Sequence, residues 1–153
     1  MEALTAAAAR RDERLDPRAK RRRGVVHTPP AIARFVARAV ADAPGVVVDP
    51  ACGPGVFLAA CMELHAAPRR AIGIELDPDA LEDAGAILEP LARARGWSLS
   101  LRRGNTLSAP LVEPGPLVIV GNPPWAGHTA NAGAAYAEAL LDDFRRDADG
   151  QPL

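Results

Sequence analysis

The tetrapeptide Asn122-Pro123-Pro124-Trp125 brings together the groups needed to hold a planar amine. Two consecutive prolines remove two backbone N–H donors and stiffen the chain, leaving carbonyl oxygens free to accept. The Asn122 side chain adds another carbonyl, and Trp125 adds a flat face. One amine hydrogen could go to the Asn122 carboxamide and the other to the Pro123 carbonyl, with Trp125 stacked on the ring. A plain turn with a buried tryptophan is the alternative for the same four residues.

Upstream, Asp49-Pro50-Ala51-Cys52-Gly53-Pro54-Gly55 has the glycines of a loop whose backbone approaches a ligand closely. A helix beginning at Val56 would aim free N–H groups and a positive dipole end at that ligand. Leu58 stands where a dinucleotide fingerprint needs its third glycine, and the Gly-Lys-Ser/Thr of a P-loop is absent. Asp49 suits a cationic amine rather than a phosphate. Glu75, 26 residues on, suits the two hydroxyls of a ribose. Together they fit a nucleoside that carries an amino acid.

These groups need a scaffold that brings them to one edge. Val46-Val47-Val48, Ala71 to Ile74, Leu99-Ser100-Leu101 and Leu117 to Val120 read as strands, the first, second and fourth as buried runs. Between them, 56–66 and 78–95 read as helices, the second closed by Gly96 and kinked or broken at Pro90. Thr28-Pro29-Pro30 reads as a helix start with a capping hydroxyl. Ile32, Phe35, Val36, Ala39 and Val40 follow on one predicted apolar face, and 134–146 reads as a last helix. Alternation of strands and helices predicts an α/β fold with a parallel sheet of about four strands. Every strand ends at a polar or glycine-rich feature: Asp49 to Gly55, Glu75, Asn105, and Asn122 to Trp125. Parallel sheets bind ligands at those ends.

The set resembles the adenine-N6 DNA methyltransferases of the gamma motif order, a Rossmann-like, S-adenosylmethionine-dependent family. Thr28 in Gly24-Val25-Val26-His27-Thr28-Pro29-Pro30 is similar to motif X, Asp49 to Gly55 with Phe57 to motif I, and Gly73-Ile74-Glu75-Leu76-Asp77 to motif II. Gly104-Asn105-Thr106-Leu107 is similar to motif III and Asn122 to Trp125 to motif IV. The segments from Asp16 to Gly24 and from Gly127 to Asn131 resemble Type ISP and Type IIG-like restriction–modification enzymes. The resemblance implies that S-adenosylmethionine is held by Thr28, Asp49, Ala51, Cys52, Gly53, Gly55, Glu75, Leu76 and Asn105. It implies that Asn122, Pro123, Pro124 and Trp125 act on an adenine flipped out of DNA, without a metal. His27, Asn105 and Trp125 depart from the commoner residues at their positions. A methyltransferase of RNA bases or protein glutamine could use a similar Asn-Pro-Pro-aromatic turn, but motif X placed directly before motif I speaks against it.

With 18 Lys+Arg against 19 Asp+Glu over 153 residues, bulk charge does not point to nucleic acid. Locally, Arg10 to Arg23 carries eight basic residues against three acids, a charge of +5. That makes 1–23 either a solvated arm or a phosphate-contacting one. Two cysteines, Cys52 and Cys61, build no disulfide framework and lack metal-ligand spacing. No apolar run reaches membrane-spanning length, and no secretory signal opens the chain, so a cytoplasmic protein is expected. Residues 24–153 read as part of a methyltransferase domain. The resemblance implies a seven-stranded sheet, which needs about 210 residues at about 30 per strand–helix unit. The expectation is therefore a fragment lacking the later strands and the target-recognition domain, and a non-catalytic relic is a further alternative.

Overall fold

The structure, a computed structural model, describes residues 28–67, 69–107 and 111–123. The basic arm, His27, Pro124, Trp125 and the helix expected over 134–146 lie outside the described residues.

Helix α1 (Pro30–Ala39) starts with Pro30, whose missing N–H costs nothing in a first turn. Its cap position is Pro29 and no side chain caps it, so the Thr28 hydroxyl is not the cap that the sequence suggests. The buried face also differs from the expected one. Ala33 and Ala37 are fully buried with Val36 and Val40 packed beside them, whereas Ile32 is 53% and Phe35 73% exposed. The two alanines form a flat stripe against helix α2 (Val56–Leu64), which turns the bulkier Ile32–Phe35 side outward. Arg34 reaches across to Glu63 at 3.3 Å.

Helix α2 is apolar apart from Glu63, with Phe57 through Met62 buried without a break, as befits a helix covered on most sides. Helix α3 (Pro78–Arg95) buries Ala80, Ala84, Leu88 and Ala92, one residue per turn. Asp77 caps its start by accepting from the Asp79 N–H at 3.0 Å, and Gly96 ends it in the left-handed region at φ +69°. Of the kink or break expected at Pro90, the break does not occur, and the helix runs on through it. Pro90 and Ala86, the residue whose carbonyl loses its bond, both face solvent, where water can replace the missing N–H.

Strands β1 (Val46–Asp49), β2 (Arg70–Glu75), β3 (Ser98–Arg103) and β4 (Leu117–Ile119) form a parallel sheet in the order β3-β2-β1-β4. Alternate residues divide between two faces. Val47, Ala71, Val118 and Val120 pack with the three helices, and Val48, Ile72 and Ile74 form a second cluster with Val46, Leu111 and Leu117. Strand β4 is not buried throughout as its pattern suggests, since Ile119 is 66% exposed. Among the described residues β4 is an edge strand, and only its Val118–Val120 side meets the helices.

The Pro- and Gly-rich stretch after β3 is anchored by a residue that periodicity does not reveal. The Glu113 carboxylate, 5% exposed, pairs with Arg70 at 2.8 Å and Arg102 at 2.5 Å. Two guanidiniums on neighbouring strands thus hold this stretch to the second sheet face. Removing either would leave a buried charge short of partners. Arg69 does comparable work on the other side, donating to the Ala41 and Ala43 carbonyls. Among the described residues no helix is long and apolar enough to cross a membrane, and no cluster could hold a metal ion.

Candidate functional site

Strand β1 is flanked by β2 on one side and β4 on the other, so the order of connection reverses there. A crevice opens at such a point between the carboxyl ends of the two strands. Asp49 ends β1, and Asn122 follows β4 by three residues.

Asp49 is not the solvated turn residue that its place in a loop would allow. It is 1% exposed, and Oδ1 accepts the Ala51 N–H at 3.2 Å. Oδ2 finds no hydrogen-bond partner among the described residues. Burial pushes its carboxyl up to about 7; the Ala51 hydrogen bond opposes that rise and the Glu75 charge adds to it. A buried carboxylate oxygen without a partner is costly unless something cationic or donating completes it.

The loop above it has the backbone that its glycines predict. Gly53 lies at φ +51°, and nothing stands within 4 Å of where a Cβ would be, so its surface is open to a ligand. Gly55 lies at φ +91°, and a Cβ there would come within 2.5 Å of the Leu88 side chain, so it is needed for packing as well as for the turn. Cys52 donates its N–H to the Ile74 carbonyl at 2.9 Å. Burial, with Asp49 and Glu75 nearby, pushes the Cys52 thiol up, so that it packs rather than reacts.

Glu75 fastens two loops together. Its Oε2 accepts the Gly53 N–H and its Oε1 the Asp77 N–H, each at 2.8 Å. Each oxygen keeps lone-pair capacity for another donor. Leu76 beside it is 64% exposed and offers an apolar wall. In the third loop the Asn105 side chain accepts from the Leu107 N–H at 3.1 Å, a local turn contact. Thr106, given no role of its own in the sequence reading, donates its hydroxyl to the Pro50 carbonyl at 2.6 Å and ties that loop to the first. A polar residue beside Asn105 was the only signal for it.

The fourth loop meets the others at two points. A Cβ on Gly121 would lie 2.7 Å from Asp49 Oδ1, so the turn backbone rests on that carboxylate. The Asn122 carboxamide nitrogen donates to the Thr28 hydroxyl at 3.3 Å. Thr28, Asp49, the Ala51–Gly55 loop, Glu75 and Asn122 thus form a linked set, with Asn105 joined to it through Thr106. Pro123 is exposed at the end of the described segment. An orphaned acid, an open glycine surface and a glutamate with spare lone pairs would fit an amino-acid-bearing nucleoside.

Comparison with known proteins identifies the family and the fold. A Type II methyltransferase of Thermus thermophilus, M.TthHB8I, is 39% identical over 106 residues, or 67% of this chain. The chain spans about a fifth of the length of that curated relative. A methyltransferase from Geobacter sulfurreducens superimposes with a TM-score of 0.51 at 20% identity, over 70% of this chain and 49% of its own. The Pyrococcus horikoshii protein PH1948 does so with a TM-score of 0.52 at 21% identity, over 75% and 56%. These two share the fold, the Rossmann-like α/β sheet of methyltransferases. The match to the family described as N-6 DNA Methylase runs over residues 13–146 and takes in every loop from Thr28 to Trp125, and the chain belongs to that family.

Proposed function

We propose that these residues hold the cofactor and the acceptor amine of an S-adenosylmethionine-dependent enzyme that methylates adenine N6 in DNA, as part of a restriction–modification system. The activity is the whole protein's. The observation that carries the reading is the meeting of Asp49 with Gly121 and of Thr28 with Asn122 at one switch point. It supports reading a site for an amino-acid-bearing nucleoside beside one for a planar amine.

In this reading Asp49 takes the cofactor's ammonium, Glu75 its ribose, and Asn105 and Leu76 line its adenine. Thr28 and the Ala51–Gly55 backbone close on the methionine end. When bound, S-adenosylmethionine supplies an electrophilic sulfonium methyl. The chain's own part is to prepare the acceptor. Adenine N6 is a poor nucleophile because its lone pair is delocalised into the ring. Accepting both hydrogens at the Asn122 carboxamide and the Pro123 carbonyl favours a pyramidal nitrogen and stabilises the positive charge that develops there. Holding it in line with the methyl is then positioning. Pro124 keeps a competing N–H out of the turn, and Trp125 stacks on the base extruded from the duplex. Residues 1–23 give a salt-sensitive phosphate contact, and 24–153 belong to the methyltransferase domain.

Incubating the full-length protein with methyl-labelled S-adenosylmethionine and duplex DNA is expected to place label in N6-methyladenine. Label in RNA or in protein glutamine instead would transfer the same turn to another planar amine, and label nowhere would favour a non-catalytic relic.

A pH dependence follows from Asp49. Its carboxyl sits near 7 without a ligand, and an ammonium beside Oδ2 would pull it down. Below pH 7 cofactor binding must then release a proton. Affinity should rise with pH toward 7, by up to about tenfold per unit, and flatten above. Titration calorimetry at pH 6 in buffers of different ionisation enthalpy measures the released proton directly. Affinity that stays level from pH 5.5 to 8 would remove Asp49 from the ammonium site.

A further inference from the structure

A threonine just ahead of a helix ordinarily uses its hydroxyl as the cap, yet Thr28 does not. Its Oγ1 accepts instead from Asn122 Nδ2, across 94 positions of chain. The turn beneath Asn122 is already fixed, because Gly121 packs on Asp49 at a φ of +152° that side chains rarely adopt. What remains undetermined by the backbone is where the carboxamide itself stands, since two side-chain torsions stay open. The bond from its nitrogen to Thr28 restrains both.

We propose that Thr28 is a positioning residue for the acceptor site: by accepting from the Asn122 carboxamide nitrogen, its hydroxyl holds that carboxamide in place for the acceptor amine. The proposal rests on the reading of Asn122 as the amine acceptor, and it differs from a role for Thr28 in holding the cofactor alone. The hydroxyl has one proton to give and two lone pairs, so accepting from Asn122 leaves its proton for a second partner.

The two roles separate in a kinetic test on the full-length protein. Thr28→Val keeps the branched shape and removes the acceptor. Turnover at saturating cofactor and DNA is expected to fall about tenfold, the scale of one hydrogen bond, a loss that saturating cofactor does not restore whatever the change in cofactor Kd. Thr28→Ser, which keeps the hydroxyl, is expected to recover most of that loss. In an Asn122→Ala background, Thr28→Val is expected to cost nothing further. The proposal is overturned if the loss lies wholly in cofactor affinity, if serine does not rescue, or if the two substitutions add. Thermal melting of each variant guards the comparison, and Thr28→Ala against Thr28→Ser supplies it if the valine form does not fold. A wild-type enzyme that labels RNA or protein would overturn the DNA reading and leave this coupling measurable on that acceptor.

Discussion

Asn122→Ala is expected to lower methyl transfer by about 10²–10³-fold, roughly 3–4 kcal/mol, with cofactor affinity almost unchanged. That is the scale of removing one preorganised polar partner from a reacting centre. Two losses combine. The acceptor amine forfeits an oxygen for one of its hydrogens, and the charge that grows on nitrogen loses the partner aimed at it. Cofactor affinity should be spared because the ammonium and ribose partners proposed here are Asp49 and Glu75, on β1 and β2, which the substitution leaves in place. Single-turnover methylation with pre-bound cofactor, alongside calorimetric titration of the cofactor, checks both halves. A matching fall in cofactor affinity would show that the turn after β4 shapes the pocket rather than the amine. The 3.3 Å bond from Asn122 to Thr28 is the contact through which that could happen.

How much of this could be read from the sequence depends on whether the information is local. The valine run before Asp49, the glycines at 53 and 55, and the proline start of α1 each carry their own conformational requirement. Their positions, and the meeting of the four loops at strand ends, were accordingly legible. The misreadings are tertiary. Periodicity in 30–40 identifies a helix but not which face is covered, and the stripe with the smaller side chains, Ala33 and Ala37, won over Ile32 and Phe35 because a flat surface lets α2 pack against it. Pro90 broke nothing because its turn faces water. The cap position of α1 falls on Pro29, one residue past Thr28, so the Thr28 hydroxyl caps nothing and bonds Asn122 instead. Glu113 had no periodic signal, since its partners Arg70 and Arg102 lie 43 and 11 residues away. The burial of Asp49 was likewise invisible, because it depends on the turn after β4 folding back over it.

Glu75→Ala is expected to weaken cofactor binding by about 1.5–3 kcal/mol, the worth of hydrogen bonds to a charged acceptor. It should also lower stability before any cofactor is present, and the structure explains why the two effects are joined. The carboxylate already accepts the Gly53 and Asp77 N–H groups at 2.8 Å each. Alanine would leave both donors to find water, and the first loop would lose its tie to the start of α3. The pocket would therefore be less preorganised as well as missing its ribose acceptor, so the fall in affinity should reach the upper part of that range. Melting the variant without ligand reports the loop tie, and calorimetry with S-adenosylmethionine reports the sum. A third measurement separates them, the affinity for methionine, which lacks the ribose. Methionine binding should fall only by the share due to the looser loop, and S-adenosylmethionine binding by clearly more. Equal losses for both ligands would mean that Glu75 only braces the Gly53 loop, and that the ribose is held by some other residue.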